Sequence, residues 1–182
     1  MNGKIKSPGI AIISATNRKS ARSFQLAELY QSILERMDIS SEIIDLEKLP
    51  NDFIFSALYD NKRLNPEFNA LQDRIREVEK CVFIVPEYNG SFPGVLKAFI
   101  DGMDYPSAFR NKKAALIGHS SGNQGSALAL SHLTDILNYL GMHVFARKLR
   151  FPMIEENLNE KGLLSESYSA LLEEQARDFI QF

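Results

Sequence analysis

An unbroken apolar run, Cys81-Val82-Phe83-Ile84-Val85, stops at Pro86 and gives way to the polar, glycine-bearing stretch Glu87-Tyr88-Asn89-Gly90-Ser91-Phe92. Pro93 then opens a helix-like segment ending Ala98-Phe99-Ile100-Asp101. A run with no polar alternation offers no solvent face, so it reads as a strand buried on both sides, the kind found inside a parallel sheet. Pro93 suits the first turn of a helix, where its missing N–H is no loss. Strand, turn and helix in that order put Pro86 to Ser91 at the carboxyl end of a central strand, where open α/β sheets bind their ligands.

The rest of the chain repeats the alternation. Gly9 to Ile13 reads as a short buried strand, and the spacing of Phe24, Leu26, Ala27, Tyr30, Ile33, Leu34 and Met37 predicts a helix. Ser41 to Leu46 reads as a second strand, Leu49 to Asn65 as an irregular segment, and Pro66 to Glu79 as a helix before the central strand. Lys113 to Gly118 and His143 to Leu149 read as the fourth and fifth strands. The helix between them, Gln124 to Leu140, is closed by Gly141. Leu163 to Phe182 reads as the last helix. Five strands separated by helices predict a doubly wound parallel sheet formed by residues 1–182 as one domain.

Composition narrows the function. A net charge of -2 with 24% charged residues argues against an electrostatic nucleic-acid or membrane binder. The single cysteine, Cys81, lies in an apolar strand and offers neither a disulfide nor a cysteine metal site. Met1 to Lys6 does not read as a signal peptide, so a cytoplasmic address is expected.

Three of the strands end in turns of small, hydrogen-bonding residues. The first turn, Ser14-Ala15-Thr16-Asn17-Arg18-Lys19-Ser20-Ala21-Arg22-Ser23, precedes a helix whose free N–H groups and dipole favour an anion. Arg18 adds a planar donor fork suited to phosphate; equally, Ser20 or Ser23 could simply cap the helix. The second turn is Pro86 to Ser91. The third is His119-Ser120-Ser121-Gly122-Asn123-Gln124-Gly125, whose glycines let the backbone approach something flat or bulky.

Together the three turns resemble the NAD(P)H-dependent FMN reductase family, which has a flavodoxin-like fold. The most specific part is Pro86-Glu87-Tyr88-Asn89 followed by Gly90-Ser91-Phe92-Pro93 and Leu96-Lys97-Ala98-Phe99-Ile100-Asp101. Ala15-Thr16-Asn17-Arg18 matches the family's Gly-Ser-x-Arg, and Ser120 to Ser126 matches its Ser-x-Gly-x-x-Gly-Gly. Alanine and serine here replace a glycine in each. Because alanine tolerates positive φ poorly, the phosphate loop is expected to differ in detail.

The resemblance implies a three-layer sandwich around a five-stranded parallel sheet of order 2-1-3-4-5. It also implies that Thr16, Arg18, Ser20 and Ser23 hold the FMN phosphate. Pro86, Glu87, Tyr88, Asn89 and Gly90 would border the isoalloxazine and ribityl groups, and Ser120, Gly122 and Gly125 would meet the ring's polar edge. FMN would take hydride from NADPH or NADH and pass two electrons, in a ping-pong scheme, to a small-molecule acceptor (a quinone, azo dye, metal oxyanion or flavin). No side chain need act as catalytic acid or base, and no metal is implied. Family members commonly form dimers or tetramers. Phe53 to Tyr59 and Met103 to Pro106 would suit such an interface as well as they would suit a core.

Three other readings compete. Gly118-His119-Ser120-Ser121-Gly122 fits the nucleophile elbow of serine hydrolases, with Asp135 and His143 following in order, though Asp135 falls within a helix. A flavodoxin-like electron carrier lacking NAD(P)H activity would share the fold, but such carriers tend to be strongly acidic and lack an arginine in the phosphate loop. A phosphorelay receiver needs acidic residues after the first strand, where this chain has Ser14-Ala15-Thr16. His119 and His132 have weak claims as metal ligands, because no partner is spaced to help them.

Overall fold

The protein is described by a computed structural model covering residues 9–159 and 161–182; the reading of Met1 to Lys6 lies outside them. In chain order the elements are β1 (Ile10–Ser14), α1 (Arg22–Arg36), β2 (Ser41–Asp45), α2 (Phe53–Ser56), α3 (Pro66–Glu77), β3 (Lys80–Pro86) and α4 (Gly94–Gly102). There follow β4 (Lys113–His119), α5 (Ala127–Tyr139), β5 (His143–Val144), β6 (Leu149–Phe151), α6 (Ile154–Asn157) and α7 (Glu166–Gln181). The strands pair in parallel in the order β2-β1-β3-β4-β5, with β6 also on β4.

Both faces of the sheet are apolar because alternate residues of each strand point opposite ways. Ala11, Ile13, Phe83, Val85 and Leu116 pack with Phe68 of α3, Phe99 of α4 and Leu133 of α5. Ile10, Ile12, Val82, Ile84, Ala115 and Ile117 pack with Leu26 and Tyr30 of α1 and with Leu172, Ala176 and Phe179 of α7. The fold is therefore the three-layer, flavodoxin-like sandwich expected. Cys81 is buried within it, and burial pushes its thiol up to about 12.

The expected fifth strand is two short pieces instead, for a reason supplied by α7. Phe145 still donates its N–H to the Ala114 carbonyl at 2.8 Å, but the chain then leaves the sheet. The buried Gln175 takes the vacated rung, its Nε2 donating to Leu116 O at 3.2 Å and Arg147 O at 2.8 Å. Arg147 is drawn outward by Glu174 and Asp178. Pro93 sits at the N-cap of α4 rather than inside its first turn, and α5 begins three residues later than expected, at Ala127. Gly141, with φ +79°, ends α5 as anticipated.

The irregular segment after β2 contains α2 and a 3-10 turn, Tyr59–Asn61. It divides its aromatics: Phe53 and Leu58 are buried, whereas Phe55 and Tyr59 project outward. Asn65 caps α3 by accepting from Phe68 N at 3.0 Å and ties the segment back through Ser56 Oγ at 2.7 Å. Arg63 donates to Asp104 from Nε at 2.9 Å and from its Nη2, and to Asp73 from Nη1 at 3.1 Å.

These hydrogen bonds from Arg63 hold the Asp104 carboxyl below its usual range. A depressed folded-state value adds stability above the ordinary carboxyl pKa, and that stability is lost as pH falls through the depressed value. Asp104→Asn is expected to cost about 1 kcal/mol at pH 7 for this partly exposed pair. The gap from wild type should close in urea melts below about pH 4; a gap that stayed constant would show that the ion pair is not its source.

Candidate functional site

The loops after β1, β3 and β4 converge at the carboxyl edge of the sheet and enclose a cleft of about 680 Å³. Its lining includes Thr16, Arg18, Ser20, Ser23, Pro86, Glu87 and Tyr88 from the expected set. Three cationic side chains, Arg18, Lys19 and Arg22, gather at one end, and the carboxylates of Glu87 and Glu155 lie in the rest of the lining.

The cationic end is built around the start of α1. Its N-cap is Ala21, which has no side chain to cap with, and no acidic residue occupies the first turn. Neither Ser20 nor Ser23 caps the helix, contrary to the capping alternative. The first amides of a helix have no intrahelical acceptor and carry the positive end of its dipole. Thr16 Oγ1 accepts from Arg18 N at 3.2 Å and shares a 2.7 Å hydrogen bond with Tyr88 OH, which ties the first loop to the second. Ala15 is not among the residues with positive φ, so it needs no glycine-like conformation; it is buried, and its N–H meets Ile84 O at 3.0 Å.

The second loop is a tight hairpin. Tyr88 and Ser91 exchange backbone hydrogen bonds of 2.8 and 3.1 Å around Asn89 and Gly90, with φ of +51° and +76°. Positive φ at both central residues defines a type I′ turn, the arrangement Asn-Gly favours. Asn89 and Gly90 thus shape the wall without lining the cleft. Glu87 is occupied structurally, since Oε2 accepts from Ser126 N at 3.1 Å at the start of α5.

In the third loop the Ser120 hydroxyl donates to Gly122 O at 2.7 Å and accepts from Gly125 N at 2.9 Å. Gly122 O and Ser120 O in turn receive Met153 N and Ile154 N. Ser120, Gly122 and Gly125 therefore fasten this loop to the chain before α6, and none of the three lines the cleft. Gly125 needs its lack of a side chain, because φ is +57° and a Cβ would lie 3.0 Å from Pro152. Ser126, which stands where the resemblance expects glycine, adopts φ +67° with its hydroxyl buried and unpartnered. The chain tolerates a serine in a conformation that glycine would take without strain.

The same geometry removes the hydrolase alternative. Ser120 follows the last residue of β4, whereas His143 pairs with Lys113 at its first. A seven-residue strand separates the two by about 20 Å. The Ser120 hydroxyl is in any case committed to its own loop.

Several lining residues lie outside the set that the resemblance assigns: Lys19, Ala21, Arg22, Gln25, His119, Ser121 and Glu155. Lys19 and Arg22 were legible as further cations within the first turn. Glu155, which accepts from Ser121 Oγ at 3.0 Å, lies beyond the matched motifs. His119 follows Ile117 in strand parity, faces α1 and bonds Ser23 Oγ through Nε2 at 2.8 Å. Burial, followed by the nearby Arg22 charge, pushes His119 down to about 4, so it is neutral near pH 7.

A six-stranded parallel sheet of order 2-1-3-4-5 with β6 beside β4, and a cleft at the β1 and β3 ends, defines a flavodoxin-like protein. A sequence profile of the NADPH-dependent FMN reductase family matches residues 8–154, and the chain belongs to that family. It is 35% identical over 135 residues to a 2-hydroxy-1,4-benzoquinone reductase of Burkholderia sp, covering 72% of this chain and 70% of that one. It is 28% identical over 180 residues to an NAD(P)H-dependent FMN reductase of Pseudomonas aeruginosa, covering 96% and 91%. Among solved structures it resembles the flavoenzyme NAD(P)H:(acceptor) oxidoreductase FerB of Paracoccus denitrificans, with a TM-score of 0.77, 25% identity and 94% of each chain covered.

The donor set fits FMN. A phosphate monoester needs several convergent donors and positive charge, which the open start of α1, Thr16, Arg18, Lys19 and Arg22 supply. The cleft volume lies within the range of small-molecule sites.

Proposed function

We propose that this protein is an NAD(P)H-dependent flavoenzyme whose cleft holds FMN and whose acceptor is a quinone. The observation that carries the reading is the uncapped, arginine-lined start of α1, opening into a cleft walled by the β3 and β4 loops. FMN, when bound, supplies the two-electron hydride chemistry. Arg18 and the α1 amides bind its phosphate, while Thr16 and Tyr88 hold the first two loops at fixed separation. Pro86 to Gly90 set the wall beside the ring, and Ser120, Gly122 and Gly125 hold the third loop in place. Glu87 positions α5 rather than moving a proton. NADPH or NADH serves as the hydride donor.

The experiment is anaerobic mixing of FMN-loaded protein with NADPH and, separately, NADH, followed by addition of a benzoquinone. Flavin absorbance should bleach with at least one nucleotide and return with the quinone. Retained FMN with no bleaching by either would leave the electron-carrier reading in its place.

The 182 residues are read as one domain acting in the cytoplasm on small molecules, and no helix of the described residues is long and apolar enough to cross a membrane. The near-neutral charge fits the absence of a nucleic-acid partner. Ile54, Phe55, Tyr59, Leu64 and Tyr105 are exposed on two loops that Arg63 and Asp104 join, which suits a homodimer or homotetramer interface. Sedimentation equilibrium should give a multiple of the 20.6 kDa chain mass; a monomer at micromolar concentration would remove this assignment.

A further inference from the structure

We propose that His119 donates a hydrogen bond from Nδ1 to the phosphate bound in the cleft, and that Ser23 is the positioning residue that fixes the tautomer required. The inference rests on the reading of the cleft as an FMN phosphate site. It assigns to Ser23 a part other than direct contact with that phosphate.

Ser23 has no exposed surface, and its Oγ has one hydrogen-bond partner among the described residues, His119 Nε2 at 2.8 Å. A buried O–H that donates to nothing forfeits the full cost of its desolvation. Among the described residues Nε2 is the one acceptor within reach of the Ser23 proton, and a proton directed there leaves Nε2 as the unprotonated ring nitrogen. A neutral imidazole carries its proton on one nitrogen only, so the proton sits on Nδ1. His119 is held neutral by its surroundings, so no second ring proton intervenes.

Nδ1 is the ring nitrogen left without a protein partner beside the cleft. The His119 ring lines it and is 5% exposed, with Nε2 turned to Ser23. Nδ1 has no hydrogen-bond partner among the described residues, yet it is not one of their buried unpartnered polar atoms, so the exposed edge of the ring includes it. The charge closest in effect to His119 is Arg22, on the first turn of α1, where the anion would lie. The other charged or titratable groups lining the cleft are Arg18 and Lys19 of the first loop, Glu87 and Tyr88 of the second, and Glu155 of α6. Glu87 and Glu155 already accept from Ser126 N and Ser121 Oγ. The phosphate is thus the acceptor that His119 N–H is placed to serve.

Two substitutions separate this from a packing role. His119→Asn keeps an N–H near the Nδ1 position and gives up the bond to Ser23. His119→Gln can reach Ser23 but removes the donor at Nδ1. Flavin-fluorescence titrations should show FMN affinity within about threefold of wild type for His119→Asn and about tenfold weaker for His119→Gln, the span of one hydrogen bond to a charged group. Riboflavin, which lacks the phosphate, should bind wild type and His119→Gln alike. The reverse order of the two variants, or an equal loss for riboflavin, would overturn the proposal.

A second readout is independent of flavin. In ¹⁵N-histidine protein, spectra of the three histidines should show His119 protonated on Nδ1. Inorganic phosphate should move that resonance, and Ser23→Ala should shift the tautomer balance toward Nε2–H. A proton resident on Nε2 in wild type, or an Nδ1 signal that phosphate leaves unmoved, would refute the role of His119. Failure of wild type to bind FMN at all would instead refute the flavin reading, with the phosphate titration still deciding whether His119 is an anion donor.

Discussion

Arg18→Ala should weaken FMN binding by about 30-fold, the effect of losing roughly 2 kcal/mol from a charge-assisted contact to a phosphate. Arg18 is exposed beside the open start of α1, and its side chain forms no ion pair among the described residues. Its charge is therefore not committed to the fold, and thermal stability should change by no more than about 0.5 kcal/mol, as for an uninvolved surface position. Arg18→Lys should recover part of the affinity, because lysine restores the charge without the planar fork. The loss should shrink as salt rises, since the contact lies at the surface. Equilibrium titration at two ionic strengths measures both quantities, and unchanged FMN affinity in Arg18→Ala would remove the arginine from the phosphate site.

The elements that could be read from the sequence were those whose cause is local. The uninterrupted run Cys81 to Val85 becomes β3 because a strand covered on both faces needs no polar alternation. Asn89-Gly90 makes a type I′ hairpin because both residues accept positive φ. Where the cause is distant, the reading stops. The fifth strand breaks because Gln175, a residue of the last helix, supplies the missing rung, and nothing between His143 and Leu149 signals that. His119 had no partner at ligand spacing, yet its partner Ser23 lies 96 residues earlier, in a turn read for phosphate binding or capping. Ser120, Gly122 and Gly125 carry the motif of the third loop, but their hydrogen bonds turn toward the chain before α6. Motif and cleft lining coincide in the first loop and diverge in the third.

Gly118→Ala is expected to destabilise the fold by about 2–3 kcal/mol, the cost of overpacking a closed interior. Gly118 belongs to β4 and lies under the start of α5, where an added Cβ would sit 2.7 Å from Ser126 Cβ, 2.8 Å from Gly125 O and 3.0 Å from Leu130 Cδ1. The nearest of these atoms are a Cβ and a backbone carbonyl, neither the free end of a flexible side chain. They also cannot retreat cheaply: Ser126 N is held by Glu87, and Gly125 is packed against Pro152. Replacing a strand glycine would otherwise return about 0.5–1 kcal/mol of backbone entropy, which is smaller than the clash. For a chain of this size the net effect corresponds to a fall in Tm of about 5–10 °C. Because α5 must back away from the sheet, the third loop moves with it, and FMN affinity should fall in the same variant. Gly122→Ala provides the contrast, since its added Cβ meets nothing within 4 Å. That variant should melt like wild type, so calorimetry of the pair isolates the seat of α5 on β4, and a wild-type Tm for Gly118→Ala would mean that the seat yields without cost.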